Sequence, residues 1–227
     1  MKDATLQQFL ADQAAKRAVV LATNLASGDE RLIYPHEAGD DPLLGAAQDA
    51  VRLDKSGVVE SDGAKVFLNV YNPPLRLIIV GAVHIAQPLA RMATMTGYDV
   101  TVVDPRAAFA SAERFPGVTV MTEWPDDAMA TLAPDARTAI VTLTHDPKID
   151  DPALEVALRA PVFYIGSLGS KKTHSARLQR LGEAGFSDSD LARICGPIGV
   201  SIGAKSPAEI AVAVLAQITE QLRQPPA

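Results

Sequence analysis

Cysteine is almost absent from this chain: one residue, Cys195, in 227. A single thiol makes no internal disulfide framework and no cysteine cluster for zinc or an iron–sulfur centre. Taken alone, Cys195 is a small core residue, a nucleophile or a soft metal ligand. Positive charge is also short. Lys and Arg number 21 against 27 Asp and Glu, a formal net charge of −6, and a nucleic-acid surface needs the opposite balance in clustered form. No apolar run reaches the length of a membrane span, and Met1-Lys2-Asp3-Ala4-Thr5 leads into a charged amphipathic segment instead of the apolar stretch of an export signal. There is no repeat and no low-complexity tract. What these absences leave is a cytoplasmic protein with small-molecule or protein partners. Its 48% hydrophobic and 21% charged residues supply an ordinary core, enough for one generous domain or a modest domain with a small companion.

Leu6, Phe9, Leu10 and Ala14 recur at helical spacing and predict a helix over residues 5–17. Strands are expected over 18–23, 31–34, 57–59 and 65–71, and a second helix over 42–53 with Asp41 as its cap. Residues 1–71 thus read as a small α+β unit. Asn72-Pro73-Pro74 then marks a boundary, because two prolines stop both helix and ladder. Over 72–227 the pattern alternates, with apolar strands at 75–80, 98–103, 118–122, 138–143 and 162–165 and helices between most of them. The expected class is α/β: a Rossmann-like parallel sheet with helices on both faces. Ser206, with Pro207 behind it and Glu209 three positions on, is a capping box opening a helix over 207–222. Gln224-Pro225-Pro226-Ala227 reads as a frayed end.

The first strand–helix–strand of that domain carries the most information. Its strand runs into Gly81-Ala82-Val83-His84-Ile85-Ala86, and the next strand ends in Asp104-Pro105-Arg106. This is the order of a dinucleotide-binding βαβ: a glycine turn aimed at a phosphate, a helix N-terminus, and an acid about 20 residues on for ribose hydroxyls. The second glycine of G-x-G-x-x-G/A, which admits the pyrophosphate, is Val83 here. A β-branched side chain there disfavours NAD(P), and the turn reads either as a modified phosphate turn or as one that binds no nucleotide.

Ligands of open parallel sheets sit beyond the carboxyl ends of the strands. Four segments fall there: Gly81, Ala82, Val83 and His84; Asp104 and Arg106; Thr144, His145 and Asp146; and Gly166, Ser167, Gly169, Ser170, Lys171 and Thr173. The last group combines glycines, hydroxyls and lysines before a basic helix, the composition of a phosphate nest. It is not a Walker A loop, since Lys171 stands where the second glycine belongs; the other reading is a glycine turn with a solvated cap. His145 is a general base, a ligand or a loop residue beside an Asp146 helix cap. Asp150 and Asp151 read as a metal-binding pair or as helix N-terminal charge. His84 lies at the turn, while His174 and His36 have no evident partners.

At these positions the sequence resembles the XdhC/CoxI family of molybdenum-cofactor accessory proteins. The resemblance rests on the 81–86 turn, Asp104-Pro105-Arg106, Arg114-Phe115-Pro116, Leu143-Thr144-His145-Asp146, the stretch from Tyr164 to Ser170, and Pro197-Ile198-Gly199-Val200-Ser201-Ile202-Gly203-Ala204 running into Ser206-Pro207-Ala208-Glu209. It covers residue 75 to the C-terminus. It implies a non-catalytic chaperone that transiently binds the molybdenum cofactor (molybdopterin), supports its sulfuration, with a cysteine desulfurase as a further partner, and delivers it to a xanthine dehydrogenase-type molybdoenzyme. Longer family members carry a Gly-Gly-Cys signature near the N-terminus. Residues 1–71 contain no cysteine, so Cys195 is the sole candidate soft ligand to molybdenum.

In the carrier reading, the 166–173 nest and the 81–84 turn hold the phosphate-bearing cofactor. Asp104 and Arg106 contact its polar edge, and His145 and Asp146 orient the pterin or a molybdenum oxo group. The competing readings are a nucleotide-dependent oxidoreductase or transferase at the same rim, and a docking protein without a small-molecule ligand. A homodimer is the expected assembly.

Overall fold

The computed structural model describes residues 3–224, and the chain divides between Pro73 and Pro74 into two units, each with its own sheet and core. The frayed end expected over 224–227 falls, from residue 225 on, outside the described residues. The first unit contains α1 (Asp3–Ala14), β1 (Val19–Asn24), β2 (Glu30–Ile33), α2 (Leu44–Leu53), β3 (Gly57–Ser61) and β4 (Ala64–Tyr71). Its four strands pair antiparallel in the order β2-β1-β4-β3. Successive strand side chains alternate faces, and Val20, Ala22, Val66 and Leu68 form a core with Ala47 and Val51 of α2. Asp41 does not cap α2 directly. Its carboxylate accepts from the Leu43 N–H, one residue outside the helix, and is paired with Arg31.

The second unit runs β5 (Arg76–Val80), α3 (Ala86–Met95), β6 (Asp99–Val103), β7 (Thr119–Met121), α4 (Pro125–Leu132), β8 (Thr138–Thr142), α5 (Pro147–Arg159), β9 (Tyr164–Ser167), α6 (Lys171–Glu183), α7 (Asp188–Leu191), β10 (Ile194–Cys195) and α8 (Pro207–Arg223). All six strands are parallel, in the order β10-β9-β8-β5-β6-β7. Numbered within the sheet, this is the 3-2-1-4-5-6 order of a doubly wound dinucleotide fold. The α/β expectation holds. Alternation along β5 divides the core: Leu77 and Ile79 pack with Leu89, Ala90, Val214 and Ile218 of α3 and α8. Ile78 and Val80 pack on the other face with Met129, Leu154 and Leu181 of α4, α5 and α6. α8 opens with the expected capping box of Ser206 and Glu209. Among the described residues no helix is long and apolar enough to cross a membrane.

One shift matters for the site. The strand expected over 162–165 begins and ends two residues later, at Tyr164–Ser167. Gly166 and Ser167, expected in the nest, are therefore buried strand residues. The Ser167 hydroxyl shares a hydrogen bond with the Thr142 hydroxyl on the neighbouring strand. Gly166 is small for packing: a Cβ there would lie 2.5 Å from Ile198 Cδ1 and 2.6 Å from the Tyr164 hydroxyl, which itself donates to Gln217 Oε1. Gly166→Val should lower unfolding free energy by roughly 1–3 kcal/mol through overpacking, read as a fall in the urea midpoint. An unchanged midpoint would mean that this side of the sheet yields freely.

Candidate functional site

The sheet reverses direction of winding between β5 and β8, and in doubly wound sheets the loops leaving two such strands flank the ligand crevice at their carboxyl ends. Gly81 opens the first loop with φ +107°, a backbone state that other residues rarely adopt, and a Cβ there would lie 2.5 Å from Thr144 Cγ2 of the second loop. The glycine is thus required by close packing of two rim loops. Its N–H donates to Val103 O, and the Ala82 N–H donates to Asp104 Oδ2 at 2.7 Å. Both amides are committed to the fold, so Gly81 and Ala82 shape the crevice without offering donors to a phosphate. Val83 turns partly into the core, while His84 is exposed.

Asp104, at the end of β6, is where a dinucleotide fold receives ribose. Here the carboxylate is buried and accepts four hydrogen bonds: from Ala82 N, Arg106 N, Arg106 Nε and Arg106 Nη2, at 2.7–2.9 Å. Burial pushes the carboxyl up, but the Arg106 side chain and the two backbone N–H groups outweigh it and hold Asp104 below the usual carboxylate range. The expected ribose acid is spent internally. Arg106 is held charged by Asp104 first, then by the fields of Asp146 and Asp150 across the crevice.

Beyond β8, Asp150 in the first turn of α5 organises the loop. It is buried, yet accepts from the Thr144 N–H and hydroxyl and from the His145 N–H. Burial raises its carboxyl above the ordinary value despite these bonds and despite Arg177 beside it. The bond to His145 holds that residue in the left-handed region at φ +63°. Asp146 caps α5 through the Lys148 N–H, and Asp151 pairs with Arg180 in a two-bond contact. The acid pair is thus structural, and among the described residues no group of three or more His, Cys, Asp or Glu could hold a metal ion.

Beyond β9, Gly169 (φ +149°) leads to α6, whose N-cap Ser170 accepts from the Thr173 N–H at 3.1 Å. A Cβ on Gly169 would stand 3.0 Å from Thr173 Cβ and 3.7 Å from His145 Nδ1. The second and third loops therefore pass close to one another at Gly169. The first turn of α6 carries Lys171 and Lys172, both exposed, and no acid. Cations at a helix N-terminus oppose its dipole, at about 0.3–1 kcal/mol each, so this placement is unfavourable for the helix alone. A turn further on, Arg177 is buried. Its Nη2 donates to Leu168 O and lies 3.8 Å from Asp150 Oδ2, while Nε and Nη1 have no partner among the described residues.

The four rim segments named from the sequence therefore lie together: Gly81 packs against Thr144, Gly169 lies beside His145, and the fields of Asp146 and Asp150 reach Arg106. Gly166 and Ser167 lie within the sheet instead. Cys195 ends β10, level with Gly166 of β9. It is half-buried beside a cavity of about 260 Å³ lined by Val162, Phe163 and Arg193, and burial pushes its thiol up. Arg177 and Phe109 were not singled out from the sequence, and Arg114 entered only within the Arg114-Phe115-Pro116 stretch. Arg177 shares the inward stripe of α6 with Thr173 and Leu181, a helical spacing that could have exposed it. Phe109 and Arg114 lie in an irregular loop without periodic signal.

A model of the XdhC Rossmann domain matches residues 77–218. The chain belongs to the XdhC family. The molybdenum cofactor insertion chaperone PaoD of Escherichia coli is 34% identical over 148 residues, covering 65% of this chain and 40% of PaoD. A Bacillus subtilis protein named as a probable xanthine dehydrogenase subunit is 32% identical over 156 residues, 68% of this chain and 45% of that protein. Escherichia coli YqeB is 31% identical over 172 residues, 76% of this chain and 31% of that protein. The chain thus spans under half the length of these curated relatives. A Bacillus halodurans structure described as a xanthine dehydrogenase superposes with a TM-score of 0.68 at 23% identity, covering 98% of this chain and 73% of that one. At that identity the likeness establishes the fold. Within this XdhC-family fold, the Asp104 arrangement carries a pH signature. Because the folded carboxyl lies lower than the unfolded one, its stabilisation is complete above the unfolded value, about 3.9, and is lost as pH falls through the folded value. Arg106→Gln should make the fall of the urea midpoint below pH 4 shallower than in wild type; an equal slope would show that Arg106 does not depress the acid.

Proposed function

We propose that this XdhC-family chain is a carrier for the molybdenum cofactor, taking the phosphate-bearing pterin as cargo at the crevice between β5 and β8 and passing it to a xanthine dehydrogenase-type molybdoenzyme. The observation that carries this reading is the concentration of positive charge at the start of α6. Lys171 and Lys172, the helix dipole and the under-bonded Arg177 surround a turn kept open by Gly169. An anionic phosphate at the N–H groups of that turn offsets the charge arrangement the helix otherwise bears alone. The names of PaoD and of the Bacillus subtilis protein support the same cargo and the same class of client.

The chain's own residues bind and orient. Ser170 and Thr173 offer hydroxyls beside the phosphate position, Lys171 and Lys172 supply charge, and His145 borders the crevice from the β8 side. No residue is assigned a bond-breaking step, and the accessory role is non-catalytic. Sulfuration of the cargo by a cysteine desulfurase, a homodimeric assembly and a cytoplasmic setting complete the proposal. The strand order favours a nucleotide as second reading, since it is that of dinucleotide enzymes. The internally saturated Asp104 speaks against it.

Equilibrium dialysis of released molybdenum cofactor under anaerobic conditions tests this directly, with NAD, NADP and ATP run in parallel. Wild type should bind the cofactor stoichiometrically and none of the nucleotides tightly. Gly169→Val, which fills the turn, should weaken cofactor binding by more than about tenfold with the fold retained. Tight NAD(P) binding without cofactor binding would overturn the carrier reading in favour of an enzyme.

A further inference from the structure

We propose that Arg106 and Phe109 form a stacking shelf for the planar fused-ring end of the cargo, at the opposite side of the rim from its phosphate. The inference rests on the carrier reading and extends it to how the ring is held. Arg106 spends its Nε and Nη2 edge on Asp104, which leaves a ligand Nη1 and the flat face of the guanidinium. One face lies over the Phe109 ring at 4.6 Å. The side chain is nonetheless 37% exposed, and the fields of Asp146 and Asp150 reach it across the crevice. A plane fixed at its edge, backed by an aromatic ring and partly exposed suits a heteroaromatic ring, which stacks on guanidinium and aromatic planes alike.

Phe109 is a large apolar side chain left 42% exposed, and the fold braces it. Its N–H donates to Arg106 O at 2.8 Å. Behind it, Arg114 lies 5.9 Å from the Phe109 ring and 5.6 Å from that of Phe115. Arg114 Nη1 donates to the carbonyls of Ala82 and Phe109. With its carboxamide oxygen turned toward Arg114, Gln87 accepts from Nε and Nη2 at 3.2 and 2.8 Å. Arg114 is thereby committed to the protein at every nitrogen. Such bracing fixes the shelf before a ligand arrives and lowers the ordering cost of binding.

The distance between the two ends selects the ligand class. From β9 to β6 the sheet order is β9-β8-β5-β6, three strand spacings or about 14 Å. A free phosphate or a pentose phosphate cannot engage both ends. A fused heterocycle carrying its phosphate at the far end can.

The test compares Phe109→Ala and Arg106→Lys, which keeps charge but loses the plane, with wild type against two probes: released molybdenum cofactor and inorganic phosphate. Each variant should bind the cofactor about tenfold or more weakly, as expected for loss of one stacking contact, with phosphate affinity unchanged. Cofactor affinity equal to wild type in Phe109→Ala would overturn the shelf while leaving the carrier reading intact. A parallel loss of phosphate affinity would assign the effect to a loosened rim and overturn the shelf as well. Failure of wild type to bind the cofactor at all would remove both.

Discussion

The rim depends on one buried carboxylate. Asp104 has no exposed surface, and a buried charge persists only if its hydrogen-bonding capacity is filled. Ala82 and Arg106 fill it. In doing so they tie the 81–85 turn to the end of β6 and fix the plane of the Arg106 guanidinium. The same bonds occupy the acid that a dinucleotide fold ordinarily leaves free for ribose, together with the Ala82 amide of the first turn. A single local solution to burial thus sets this rim apart from an ordinary dinucleotide-binding turn.

Binding polarity then moves to the other half of the sheet. Beyond β9 the chain places two lysines on a helix N-terminus and buries an arginine behind them with two nitrogens unpartnered among the described residues. Asp150 couples the halves: it holds Thr144 and His145 from below and lies 3.8 Å from Arg177. The crevice therefore has a cationic end at α6, a flat cationic and aromatic end at Arg106 and Phe109, and a loop carrying His145 between them. Each feature costs stability in isolation, through dipole repulsion, burial of under-bonded polar groups or an exposed aromatic ring. In the carrier proposal, the cargo offsets these costs together on one rim.

Much of this was legible in the sequence for definite reasons. Apolar runs separated by helical patterns identified the parallel sheet, because strands buried on both faces are mainly apolar, as Leu77 to Val80 of β5 and Ala139 to Val141 of β8 are. Gly81, Asp104, Thr144, His145 and Gly169 were recognisable because they directly follow strands, and topology brings such positions together. The extent of β9 was not legible. Gly166 and Ser167 look like turn residues, yet sheet packing against Ile198 and the hydroxyl pair with Thr142 keep them in the strand. The saturation of Asp104 by Arg106 was also hidden, since adjacent acid and base in a loop leave their pairing to tertiary geometry. Phe109 and Arg114 act through contacts that no periodicity encodes.

That phosphate and ring are held at opposite ends of one crevice is tested most directly by a crystal structure of the protein with bound molybdenum cofactor, prepared without oxygen. The phosphate should lie against the N–H groups of Ser170 to Thr173, with the fused ring flat on Arg106. A cofactor seated elsewhere, or with its phosphate on the 81–85 turn, would contradict this arrangement.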